Sequence, residues 1–272
     1  MDRLYIIEGL PCSGKSTTSK YVADMLEKQG KKVVFVDEGS GDHPADYEFS
    51  AYFTDEELAE LSEDEKAQLS AIGEKQENGI VVPLSELSGE MFDKALQRKI
   101  YDFLPWEKEK PIMLARWREF AENVDSDTTY VFNCVLLQNP MCETMMRFGF
   151  SEEQSADHIR EIADIIAPLS PVVIYLRNDD IVQCVKKASS EREGWLPAVI
   201  DYHCGGAYGI SIAAEGMDGY IACLEERQKR ELRILEKLPV KSIVLDNAHR
   251  NWNGAYDKIG EWICRQENYL KP

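Results

Sequence analysis

Gly9-Leu10-Pro11-Cys12-Ser13-Gly14-Lys15-Ser16-Thr17 decides how this chain is read, both by its own residues and by what flanks it. Before it stands a short apolar run, Leu4-Tyr5-Ile6-Ile7, which predicts a buried strand. After it, Tyr21, Val22, Met25 and Leu26 recur at helical spacing between Lys15 and Lys28, and Gly30 stops the helix. Val33-Val34-Phe35-Val36 predicts a second buried strand. Two all-apolar strands joined by one helix make a βαβ unit, with parallel strands covered on both faces.

The nine residues fit the pattern G-x-x-x-x-G-K-[ST]. Glycines let the backbone wrap from Gly9 through Pro11 to Thr17, so that the N–H groups of its non-proline residues, Cys12, Ser13 and Gly14 among them, enclose phosphate oxygens. Lys15 reaches the β- and γ-phosphates, and the Ser16 hydroxyl ligates Mg²⁺. The helix that follows aims its positive N-terminal end at the same anion. A chance match in a chain of this length is on the order of one in a hundred, given ordinary residue usage. The strand before and the helix after make it rarer still. The sequence therefore predicts a nucleoside triphosphate site.

Composition narrows the rest. The 272 residues carry 31 Lys and Arg against 49 Asp and Glu, a net charge of −18. Such a chain gains nothing from the phosphates of nucleic acid or from an anionic membrane, so neither is an expected partner. Seven cysteines at scattered spacings, with no C-x-x-C pair, suit neither a disulfide framework nor a zinc site and fit reduced thiols. No apolar run approaches the ~18 residues of a membrane span. With a strand-like run already at Leu4, no signal peptide is expected, and the expected location is cytoplasmic.

Further strands are predicted at Tyr130–Leu137, Val172–Leu176 and Ser242–Leu245. Helices are predicted from the Ser151-Glu152-Glu153-Gln154 capping box to Ala167, from Asn178 to about Ser189, over Met217–Leu238 and over Ala255–Glu267. The whole reads as one α/β domain, 1–272, with a long insertion at about 37–128. Fourteen acids against Lys66 and Lys75 fill residues 37–79. They predict a solvated helix face around 55–69, with an acidic wall for a cationic substrate as the sharper alternative.

On these residues the chain resembles the P-loop kinase group, which includes thymidylate kinases, deoxynucleoside kinases and small-molecule phosphotransferases such as the chloramphenicol kinase. The resemblance is specific over about 1–40 and fits the strand–helix order beyond. It implies a three-layer P-loop NTPase fold with a five-stranded parallel sheet in the order 2-3-1-4-5, a helical acceptor-binding insertion and an arginine-bearing lid at about 177–210. It also implies ATP and Mg²⁺ as cofactors and a small-molecule acceptor; a homodimer is compatible with it.

Phosphoryl transfer needs positioning, charge neutralisation and a base. Ligands of a parallel sheet sit at the carboxyl ends of its strands, where strand two leads into Asp37-Glu38-Gly39. Glu38 followed by Gly39 resembles the base of deoxynucleoside kinases. Asp37 competes, because small-molecule phosphotransferases use an Asp after this strand; it is otherwise a magnesium ligand. Strand three offers Asn133 where such kinases carry a magnesium-binding Asp. His43, Asp46, Arg116 and Gln138 are candidates for acceptor contact, Arg192 for the lid cation with Lys186 and Lys187 beside it, and His249 lies where these kinases hold adenine. Trp117, sharing a helix face with Leu114 and Phe120, reads as core.

Other classes fit less well. A GTPase would need N-K-x-D, which is absent, and an assembly ATPase would need an acid pair where Asn133 stands. An ATPase without small-molecule transfer, and a toxin-like kinase acting on sugar nucleotides, remain as alternatives. The acidity of the insertion up to Gly89 leans towards an uncharged or cationic acceptor, while Arg98, Lys99, Arg116 and Arg118 keep a nucleotide open.

Overall fold

The structure is a computed structural model that describes residues 2–268. Eight strands are present among them: β1 (Leu4–Gly9), β2 (Lys32–Val36), β3 (Ser50–Thr54), β4 (Glu74–Gln76), β5 (Gly79–Pro83), β6 (Thr128–Asn133), β7 (Val172–Arg177) and β8 (Lys241–Asp246). The chain forms two compact units. One holds the chain up to Glu38 and again from Asn123; the other is Gly39–Glu122.

The first unit contains a five-stranded sheet, β2-β6-β1-β7-β8, with every neighbour parallel. Counted within that sheet the order is 2-3-1-4-5, the P-loop arrangement expected. Every residue of the central β1 is buried. Its outward side chains Tyr5 and Ile7 pack with Val131 and Ile174, with Val22 and Leu26 of the helix Lys15–Lys28, and with Ile259 and Ile263 of the helix Trp252–Asn268. A second cluster of Leu10, Val185, Tyr220 and Leu224 joins the helices Ile181–Glu191, Trp195–Cys204 and Gly216–Lys237.

Several boundaries differ from expectation. β6 ends at Asn133 instead of Leu137, because Cys134 adopts a left-handed φ of 70° that turns the chain out of the sheet. The amides beyond it then leave the ladder. Those of Leu136, Leu137 and Gln138 donate to the carboxylate of Glu8, in β1, at 2.8, 2.9 and 3.1 Å. β2 is not covered on both faces: as the edge strand, packed by the Lys15–Lys28 helix, it leaves Val34 36% and Phe35 37% exposed. The cap of the helix Ile181–Glu191 is Asp180, whose side chain accepts from the Gln183 amide, and not Asn178.

The second unit is not helical throughout. It carries an antiparallel sheet in the order β3-β5-β4, where Glu77-Asn78 forms a two-residue hairpin between β4 and β5. Phe53, Ile80, Val82, Leu69 and Met91 form its core. The acidic stretch makes two short helices, Asp55–Glu60 and Glu63–Ile72, because Ser62 caps the second and so ends the first. Glu57 and Glu65 complete capping boxes and pair with Arg98 and Lys94. Trp117 is core, set edge-on to Phe120. Among the described residues, no helix is long and apolar enough to cross a membrane, and all seven cysteines are free thiols.

Two expected outcomes follow from this packing. Ile174→Ala empties a fully buried site in β7 and costs about 2–5 kcal/mol in urea unfolding, whereas Val34→Ala on the exposed edge costs under about 0.5 kcal/mol; equal costs would contradict this picture of the sheet. For Glu8, burial pushes the carboxyl from 4.5 up to about 7, against the pull of its three amide donors. A carboxyl whose pKa rises on folding holds its proton more tightly when folded. Its contribution is therefore full below pH 4.5 and is lost as pH climbs to about 7, a change on the order of 3 kcal/mol. Relative to Glu8→Gln, the wild type should lose stability across that window; parallel pH–stability curves would refute the assignment.

Candidate functional site

The glycine-bounded loop between β1 and the first helix has the backbone its sequence requires. Gly9 has a φ of 142°, and a Cβ there would stand 2.6 Å from the Leu176 carbonyl. Gly14 has a φ of 95°, and a Cβ there would meet the Trp252 ring at 2.3 Å. Hydrogen alone fits at both. The Lys15 ammonium donates to the carbonyls of Gly9 and Leu10 at 2.9 and 3.0 Å, curling the loop and leaving one of its three donors for an anion. The first intrahelical bond runs from the Thr18 amide to the Gly14 carbonyl, so the amides of Lys15, Ser16 and Thr17 precede the helical ladder.

At the carboxyl end of β2 the two acids have different surroundings. Asp37 Oδ1 accepts from the Asn133 side-chain amide at 2.8 Å and from the Glu38 amide at 3.0 Å. The same Asn133 nitrogen lies 3.5 Å from Ser16 Oγ, and Asn133 Oδ1 is buried without a hydrogen bond. Ser16 and Asp37 thus converge as hard oxygen donors, linked by the Asn133 amide nitrogen, a pair that suits Mg²⁺, which takes one or two carboxylates and keeps phosphate oxygens and water as further ligands. No group of three His, Cys, Asp or Glu residues able to hold a metal occurs among the described residues. Glu38 accepts from Gln138 Nε2 at 3.0 Å on one oxygen and from the Cys134 thiol at 3.3 Å on the other. Burial pushes that thiol well up, which keeps it a donor.

A cavity of about 370 Å³ lies over the loop within this unit, and Lys15, Ser16, Glu38, Gln138 and Arg192 all line it. Asp37 and His249 do not. His249 is exposed in the turn Ala248–Arg250, which follows Asn247, itself clamped to Asp179 by two hydrogen bonds. Arg192 makes no ion pair among the described residues; its neighbour Glu191 pairs with Lys187 instead. The second unit holds the other three candidates as one cluster. Arg116 pairs with Glu74 at 3.0 Å, donates to the His43 carbonyl at 3.2 Å and lies over the Tyr47 ring. Burial and that guanidinium hold His43 down to about 4, and Asp46 accepts from the Tyr47 amide and the Tyr101 hydroxyl.

Sequence reasoning missed Glu8, Cys134, Trp252 and Arg227 at this site; His203, beside Cys204 and the glycine-rich 205–209 loop, suggested a metal or nucleophile pair that no base or third ligand supported. Two of them left a signal. Glu8 is the single charge within a buried strand, and Arg227 occupies a position of the inward stripe formed by Tyr220, Leu224, Glu231 and Ile234. A charge on an apolar stripe calls for a partner. Cys134 and Trp252 gave none, since their contacts come from distant parts of the chain.

Comparison with known proteins adds the following. The family model described as chromatin associated protein KTI12 matches residues 3–68, about a quarter of the chain, which include the glycine-bounded loop. Among solved structures, a thymidylate kinase from Candida albicans is similar over 98% of this chain and 93% of that one, with 12% sequence identity and a TM-score of 0.44. No curated protein matches the sequence. The fold assignment accordingly rests on strand order and loop geometry.

Proposed function

We propose that this chain is an ATP- and Mg²⁺-dependent kinase that transfers the γ-phosphoryl group to a hydroxyl or phosphate of a small molecule, whether nucleoside, nucleotide or antibiotic-like natural product. The observation that carries the reading is one cavity that holds the phosphate-binding loop, its Lys15 and the tethered carboxylate of Glu38. A loop alone would serve any NTPase. A carboxylate held beside it is what proton removal from an acceptor requires.

The residues divide the work. Loop amides and Lys15 hold the β- and γ-phosphates. Mg²⁺, when bound, draws charge from the phosphate oxygens; Ser16 and Asp37 would hold it, with the Asn133 amide steadying Asp37. Asp37 takes both of its hydrogen bonds on Oδ1 and does not line the cavity, which leaves its other oxygen for a metal ion and favours that role over proton transfer. Glu38 lines the cavity, which favours it as the base that takes the acceptor's proton. Gln138 and Cys134 orient that carboxylate. Arg192, which lines the cavity and makes no ion pair among the described residues, is the cation suited to the charge on the group in transfer. The pairing of Glu57 and Glu65 with Arg98 and Lys94 supports a solvated acidic face more than a wall for a cationic acceptor.

Lys15→Ala is expected to abolish ATP binding in calorimetric titration; wild-type affinity in that variant would remove the loop from the account. Glu38→Gln should bind ATP normally yet lose phosphoryl-transfer turnover by roughly 10²–10⁴, the usual weight of a general base. Should Asp37→Asn show that loss in its place, the base moves one residue.

A further inference from the structure

The long helix Gly216–Lys237 buries an arginine that the transfer scheme above does not use. Arg227 is 1% exposed. A guanidinium keeps its charge and brings five N–H donors, and each donor left unpaired away from water is costly. Its neighbours meet only part of that demand. Nη1 donates to Cys142 Sγ at 3.1 Å. Nε lies 3.1 Å from Glu231 Oε1, but among the described residues neither atom completes a hydrogen bond and Nη2 has no hydrogen-bond partner. Glu231 is itself divided, since its other oxygen accepts from the Tyr175 hydroxyl at 2.5 Å.

His203 stands in the same position. It is 9% exposed, its ring lies flat against Tyr220 with centroids 5.6 Å apart, and its Nδ1 is buried with no partner among the described residues. Burial and the charge of Arg227 hold it down to about 3, so the imidazole is neutral near pH 7. Both side chains line the cavity over the phosphate loop. That cavity is lined by four cations, Lys15, Lys187, Arg192 and Arg227, against Glu38 and Glu191, in a chain whose net charge is −18. Positive charge gathered into a concave site of an acidic protein focuses an anion there.

We propose that Arg227 and His203 form a buried oxyanion subsite, separate from the loop amides, that takes a tetrahedral phosphate group. Such a group offers several acceptor oxygens on one centre, enough for two guanidinium N–H groups and an imidazole N–H together; planar recognition of this kind is what arginine does and lysine does not. The phosphate has two sources: the γ-phosphate of the bound triphosphate, or a phosphate carried by the acceptor. The subsite rests on the reading of this cavity as a nucleotide site.

The test is a set of calorimetric titrations with Mg·ATP, with Mg·ADP, and with inorganic phosphate added to the Mg·ADP complex. It compares wild type with His203→Ala and with Arg227→Met/Glu231→Gln, which removes both partners of the buried pair so that no charge is orphaned. His203→Ala leaves no buried charge unpaired and keeps the question open to measurement if the double variant does not fold. If the γ-phosphate is the occupant, affinity for ATP falls roughly 10- to 100-fold in the double variant, and less in His203→Ala, while ADP affinity stays within about 2-fold. If the acceptor's phosphate is the occupant, both nucleotides bind as in wild type and the phosphate binding seen with wild-type Mg·ADP complex is lost. Equal losses for ATP and ADP, or no change with any ligand, would overturn the proposal and leave Arg227 as a packing residue. A wild type that binds neither nucleotide would overturn the nucleotide reading and the subsite with it.

Discussion

Three amides on one carboxylate hold the site together. Glu8 belongs to the central strand that feeds the phosphate loop, and its oxygens accept from Leu136, Leu137 and Gln138, where the chain has just turned out of β6. Because Gln138 in turn holds Glu38, the position of the candidate base is fixed by the strand that also positions Lys15. The interaction is buried and works against its own charge, and Glu231 nearby adds to that strain. A fully apolar residue at position 8 would pack as well in β1 but would leave three amides without an acceptor, each costing about 1–3 kcal/mol if buried.

Charge is distributed with the opposite sign to the chain's total at the place where an anion would bind. The acids of residues 55–65 are used at helix starts, where Thr54 and Ser62 with Glu57 and Glu65 close capping boxes, and two of them pair with cations of their own unit. Helix N-termini favour such acids electrostatically. The cavity, in contrast, gathers Lys15, Lys187, Arg192 and Arg227. A net charge of −18 thus describes the surface and solubility of this protein and says little of its ligand.

The fold was legible in the sequence wherever a local rule sufficed. The motif from Gly9 to Thr17 and the flanking apolar runs carry the strand–loop–helix, and later apolar runs mark the remaining parallel strands; their order was implied by the resemblance to P-loop kinases. Legibility ended where tertiary partners decide. Nothing local marks Cys134 as the left-handed residue that shortens β6, since the apolar run continues to Leu137 while its amides turn to a carboxylate more than a hundred residues away. The small sheet of the second unit escaped because Glu74-Lys75-Gln76 is polar and becomes a strand only against Gly79–Val81. At the site, the residue types of the loop and of Asp37, Glu38 and Gln138 could be read from position. Arg227 and His203 could not, because what singles them out is burial without a partner.

The central claim is that a carboxylate beside a phosphate loop makes this chain a kinase and not merely a nucleotide binder. It is tested most directly by incubating a pooled library of nucleosides, nucleotides and natural products with Mg·ATP and either wild-type or Lys15→Ala protein, then weighing the products by mass spectrometry. The account predicts a compound that gains one phosphoryl group with wild type alone. Hydrolysis of ATP by the wild type, with the phosphoryl group recovered only as inorganic phosphate across metabolite and macromolecule pools alike, would contradict it.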